Sequence, residues 1–142
     1  MERRKFLKGA AIGAGATALA TPALAQDAKQ LTIVSTWPRD FPGLGTSAQR
    51  LAERIGVLSD GAFNVEYFAA GERVGAFDSF DEVASGNSQA YIAADYYWGG
   101  KHPAYNYFTS VPFGMSTPQW NAWIKFGGGQ ELWDELSASF GL

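Results

Sequence analysis

Leu31 to Trp37 reads LTIVSTW, a β-branched apolar run closed by Pro38, and a run of that length and composition is a buried strand. Downstream, Arg39 to Gly45 carries Pro42 and two glycines and reads as a loop. Leu44, Ala48, Leu51, Ala52, Ile55 and Leu58 then recur at helical spacing, with Arg50, Glu53 and Arg54 turned outward. Ser59-Asp60-Gly61 ends that helix, Gly61 suiting a left-handed cap. Phe63, Val65 and Tyr67 alternate with Asn64 and Glu66, which predicts a second strand with one wetter face.

Beyond it, Ala69-Ala70-Gly71-Glu72 is a turn. A second amphipathic helix follows, with Phe77, Phe80, Val83 and Ala84 inside and Asp78, Asp81 and Glu82 outside, ended by Gly86. Gln89 to Ala94 (QAYIAA) reads as a third strand, running into Asp95-Tyr96-Tyr97-Trp98. Phe108 to Phe113 (FTSVPF) predicts a short fourth strand. Thr117 caps a helix opened by Pro118, with Trp120, Trp123 and Ile124 along one side. The Gly127–Gly129 run breaks it, and Gln130 to Leu136 starts one more helix.

The order β-α-β-α-β calls for an α/β fold with a mainly parallel sheet and right-handed crossovers. Ligands of such sheets bind outside the carboxyl ends of the strands. That rule gathers Trp37, the segment from Phe68 to Glu72, the segment from Asp95 to Trp98, and Phe113-Gly114 onto one rim.

Upstream, Arg3, Arg4, Lys5 and Lys8 precede an uncharged Ala/Gly-rich stretch that ends in Ala23-Leu24-Ala25. This is a secretory leader with cleavage after Ala25, and the Arg3-Arg4 pair resembles a twin-arginine export signal. The stretch is too weakly apolar to favour a membrane anchor. Residues 26–142 then form one α/β lobe. Without the leader's four basic residues and Glu2, 7 basic and 13 acidic side chains remain of the chain's 11 and 14, a net charge of −6. An acidic surface argues against nucleic acid or anionic membrane as partner. With no cysteine there is no disulfide framework and no thiolate metal site.

Enzyme chemistry finds little support in these residues. His102 is the only histidine, so no histidine pair can hold a metal. Gly127-Gly128-Gly129 follows a helix and lacks the Lys-Ser/Thr ending of a phosphate loop. Asp78, Asp81 and Glu82 read as a solvated helix face. Glu72 sits at a strand-to-helix turn on the rim, where a carboxylate also suits the dipole of the following helix. Asp95, Tyr96, Tyr97 and Trp98 with Trp37 place rings with polar tips at strand ends. Such rings suit a small-ligand pocket, and equally a face packed on a second domain.

Taken in order, Trp37-Pro38, Phe41-Pro42, Ser59-Asp60-Gly61, Phe68-Ala69-Ala70-Gly71-Glu72, Tyr96-Tyr97-Trp98 with Gly100-Lys101, Val111-Pro112-Phe113 and Asn121-Ala122-Trp123 resemble the extracytoplasmic solute receptors of TRAP transporters. The subgroup that binds 2-oxo acids is the most similar. The resemblance implies a periplasmic-binding-protein-like lobe of class II type, the second lobe being missing from this chain. It implies capture of a small 2-oxo or hydroxy acid in the periplasm, delivery to membrane permease subunits, and a homodimer as one state of the full-length protein.

It also places Asp95, Tyr96, Tyr97, Trp37, Phe113 and Glu72 around the ligand, with Asp95 where relatives carry Tyr or Ser. A sodium ion can accompany the ligand in the full-length protein. The groups that hold it, and the arginine that clamps the carboxylate, fall beyond Leu142, so no metal or other cofactor is expected within this chain. An exported enzyme subunit, or an orphan binding protein serving sensing, are the alternatives.

Overall fold

The structure is a computed structural model that describes residues 28–109 and 111–142; the leader and its cleavage site lie outside them. β1 (Lys29–Ser35) is buried from Thr32 onward on both alternations. It is buried that way because it is the centre of a three-stranded parallel sheet of order β2-β1-β3. β2 (Phe63–Phe68) pairs along its full length, Lys29 opposite Phe63 through Val34 opposite Phe68. β3 (Ala90–Ile92) pairs on the other side, Ile33 opposite Ala90 and Ser35 opposite Ile92. β3 is shorter than the sequence predicts. Gln89 extends the pairing with its side chain instead, its Oε1 accepting from the Thr32 N–H at 2.9 Å while its own N–H donates to the Thr32 carbonyl at 3.1 Å.

α1 (Leu44–Leu58) forms where the periodicity predicts, with Ala48 and Ala52 inside as expected but the leucines outside. Gly45, Ala48 and Ala52 are the buried positions, whereas Leu44, Leu51 and Leu58 are exposed. The start of the helix approaches the first loop closely: a side chain at Gly45 would begin 2.3 Å from the Pro38 carbonyl oxygen, whereas one at Gly56 would make ordinary contact with Val65 at 3.8 Å. Small residues let the helix backbone lie against the sheet and the first loop.

A single 3-10 turn (Ala76–Asp78) leads into α2 (Ser79–Ala84), shorter than expected. Phe80 is buried as predicted, but Phe77 is exposed. Its carbonyl accepts the Trp98 indole N–H at 3.0 Å. The acidic cluster is not a plain solvated face either. Glu82 is half-buried, accepting from Arg73 Nε at 2.8 Å and from the Ser88 hydroxyl at 3.2 Å, and Asp81 pairs with Lys101 at 2.6 Å.

After β3 the chain runs through two 3-10 helices, Asp95–Trp98 and Pro103–Phe108. His102 caps the second, its Nδ1 accepting from the Ala104 N–H at 3.2 Å. The described residues of the predicted fourth strand, Phe108–Phe113, form no strand. Phe108 ends the 3-10 helix, and Val111 to Gly114 close a turn through the Gly114 N–H and the Val111 carbonyl at 2.9 Å, with Phe113 at φ +59°. Pro112 supplies no N–H for a ladder, and Phe108 stacks on Trp123 and Trp133 rather than joining a sheet edge.

α3 (Thr117–Phe126) is capped by Ser116, one residue before the expected Thr117; Gln119 Oε1 accepts from the Ser116 N–H and from its hydroxyl, both at 2.9 Å. α4 (Gly129–Ala138) follows after Gly128 in the left-handed conformation, φ +85°. The core on this side of the sheet is aromatic. Phe80 centres it, with Trp98 at 5.2 Å, Tyr105 at 5.6 Å and Phe140 at 5.7 Å between ring centroids. Phe140 thereby docks the end of α4 onto α2.

Candidate functional site

The chain passes from β1 to β2 on one side and then crosses to β3 on the other, so the strand order reverses between β1 and β3. At such a reversal the two crossovers diverge and leave a crevice at the carboxyl ends. A cleft of about 1070 Å³ opens there. Trp37, just past β1, forms one side. Ala93 to Tyr97, just past β3, form the floor. The far wall comes from the second 3-10 helix, α3 and α4 through Tyr107, Phe108, Trp120, Trp123 and Trp133.

That far wall is organised by one ring. Phe108 stacks on Trp123 (5.9 Å, interplanar angle 12°) and on Trp133 (5.4 Å, 12°), so three rings lie nearly parallel. The triple-glycine turn between α3 and α4 makes room for this stack. A side chain at Gly129 would lie 2.8 Å from the Trp123 ring, and one at Gly127 would lie 2.9 Å from it.

Among the described residues Asp95 is the only charged one on the cleft's lining, and it is buried, at 4% exposure. Its Oδ2 accepts the Trp133 indole N–H at 2.6 Å and its Oδ1 accepts the Tyr91 hydroxyl at 3.1 Å. Burial pushes the Asp95 carboxyl above its ordinary value, while the two hydrogen bonds pull it back. Burial also pushes the Tyr91 phenol up, with the Asp95 charge adding to it, so Tyr91 stays a donor. Tyr96 and Tyr97 meet edge to face at 4.7 Å, with Tyr96 exposed and Tyr97 half-buried. Tyr97 beside it pushes the Tyr96 phenol up, so Tyr96 too remains a neutral donor.

Of the residues singled out in the sequence, Trp37, Asp95, Tyr96 and Tyr97 come together on the cleft. Glu72 and Phe113 do not line it. Glu72 is spent on a local ion pair. Its Oε1 accepts from Arg39 Nε at 2.6 Å, its Oε2 accepts from Arg39 Nη2 and from the Ala69 N–H, and the pair ties the loop after β1 to the loop after β2. The Arg39 bond holds the Glu72 carboxyl down at about 2. Phe113 points fully into solvent, and Val111, Gly114 and Met115 of the same loop line the cleft instead. The sequence reading missed Phe108, Trp120, Trp123 and Trp133. Trp120 and Trp123 had a signal in their i, i+3 spacing on one helix face; Trp133 and Phe108 had none.

The fold of this chain recurs in known proteins. Residues 33–142 match the DctP family, the bacterial extracellular solute-binding proteins of family 7. The chain belongs to this family. A monocarboxylate 2-oxoacid-binding periplasmic protein of a Nostoc species is 31% identical over 150 aligned positions, covering all of this chain and 41% of that protein. A TRAP periplasmic solute-binding protein from Pseudoalteromonas atlantica, with bound sodium and pyruvate, superposes with a TM-score of 0.76 at 35% identity over 80% of this chain and 35% of its own. One from Bordetella bronchiseptica, with calcium and picolinate in its active site, gives 0.75 at 30% identity, over 80% and 34%. The chain therefore spans well under half the length of the relatives it matches. Those relatives are solute-binding proteins.

The sodium and calcium in those structures need oxygen donors. Among the described residues there is no group of three or more His, Asp or Glu side chains that could hold an ion, and both oxygens of Asp95 already accept from the Trp133 and Tyr91 donors.

Proposed function

We propose that this chain is one lobe of the periplasmic receptor of a TRAP transporter. The receptor captures a small organic monocarboxylate, a 2-oxo acid above all, and delivers it to a membrane permease. The observation that carries this reading is the position of the aromatic cleft at the β1/β3 strand reversal of a chain whose relatives hold pyruvate and picolinate. Tyr96 and Tyr97 donate to ligand oxygens, and Trp37 walls the cleft beside them. The described residues that line the cleft carry no positive charge. The anion's charge and any accompanying sodium or calcium are therefore met by groups outside the described residues. Arg3 and Arg4 direct export by the twin-arginine route, with cleavage after Ala25, leaving residues 26–142 as the lobe.

Titration of pyruvate into the full-length protein by calorimetry tests this. Measurable binding is expected, weakened about tenfold or more by the Tyr96→Phe, Tyr97→Phe double substitution, since a lost hydrogen bond to a charged oxygen costs about 1.5–3 kcal/mol. Unchanged affinity in the double variant would remove these hydroxyls from the site.

A further inference from the structure

Asp95 is a carboxylate on an anion-binding cleft, which a ligand-contacting role makes electrostatically costly. Its geometry gives it other work. It lies at the carboxyl end of β3, is buried, and directs both oxygens away from free solvent to two donors. One donor, Tyr91, lies on β3 itself. The other, Trp133, lies on α4, at the end of the three-ring stack that forms the far wall of the cleft. The bond from Asp95 to Trp133 spans 38 residues of sequence and fixes which way the indole can face. Phe108 lies against the held indole, and Trp123 lies against Phe108.

We infer that Asp95 is a positioning residue: resting on the function proposed above, it sets the shape of the ligand cleft by holding Trp133, and through it the Phe108–Trp123 stack, without touching the ligand. Position, not charge, is what it supplies. An asparagine can do the same work, because its carbonyl still accepts from the indole and its amide can donate to the Tyr91 oxygen. A ligand would then sense Asp95 only through the rings.

The test uses full-length protein, pyruvate as probe, and the ¹H–¹⁵N indole resonances of Trp123 and Trp133. Asp95→Asn is expected to leave pyruvate affinity within about fivefold of the parent, since a charge-assisted bond becomes a neutral one with the same geometry. Asp95→Ala and Trp133→Phe are each expected to weaken binding more than about fivefold, and the double variant no further than either alone, because coupled groups are not additive. The two indole resonances should hold their positions in Asp95→Asn and move together in Asp95→Ala.

A change beyond about fivefold in Asp95→Asn, in either direction, would overturn the inference, because the charge itself would then be felt by the ligand. So would an unchanged affinity in Trp133→Phe. If Asp95→Ala does not fold, the Asp95→Asn and Trp133→Phe variants decide by the same criteria. If the parent itself fails to bind pyruvate, the function proposed above falls. The resonances then decide this inference alone, and a Trp123 signal that ignores Asp95→Ala would sink it.

Discussion

Two carboxylates on the same rim take opposite roles because their surroundings differ. Glu72 is half-exposed and gripped by a guanidinium and a backbone N–H, so its carboxyl falls to about 2. Asp95 is buried with neutral donors, so its carboxyl rises. The consequences for stability have opposite sign. Glu72 contributes stability that is present above its unfolded value of 4.5 and is lost as pH falls towards about 2. Asp95 binds its proton more tightly in the folded state, so its contribution favours the fold at acid pH and fades as pH rises through its raised value. Glu72→Gln should therefore flatten the acid limb of a stability–pH profile between pH 4.5 and about 2. Urea melts at a series of pH values measure this, and a limb as steep as the parent's would mean that the Arg39 pair is not formed in solution.

Among the elements, the turn between α3 and α4 shows how a backbone break serves a side-chain stack. Gly128 needs its left-handed φ, while Gly127 and Gly129 are required for a different reason, the closeness of the Trp123 ring. Gly129→Ala should cost about 1–3 kcal/mol, as overpacking against rigid neighbours does. Gly100→Ala, where a side chain would meet open space, should cost nothing measurable. Denaturant midpoints compare the two directly. The α1 helix carries the complementary lesson. Its leucines sit at helical spacing, yet Leu44, Leu51 and Leu58 are exposed while Gly45, Ala48 and Ala52 are buried, and at Gly45 the Pro38 carbonyl leaves no room for a side chain.

At the scale of the whole molecule, one aromatic cluster joins the middle of the described chain to its end. Phe80 touches Tyr91 on β3, Trp98 and Tyr105 on the 3-10 helices, and Phe140 after α4. Replacing it removes the common neighbour of all four. Phe80→Ala should cost about 3–5 kcal/mol, read as a large fall in Tm, and it should loosen α4 as well as α2. Hydrogen exchange would show that loss of protection at both helices; protection lost only in α2 would mean that the end of α4 is held by other contacts.

The sequence alone determined the α/β class, the three parallel strands in order, the helix breaks, and four of the six cleft candidates. Each of these follows from local chemistry: β-branched apolar runs, glycine at turns, and the rule that ligands gather at strand ends. Tertiary structure decided the rest. The strand reversal that opens the cleft between β1 and β3 is a matter of pairing, which no single segment encodes. Phe108, Trp133 and Asp95 found their roles across tens of residues, through stacking and one indole hydrogen bond. Glu72 pairs with Arg39, 33 positions away in the chain, and does not line the cleft. Composition and periodicity record what a residue prefers nearby; which distant partner satisfies that preference is settled only when the chain closes on itself.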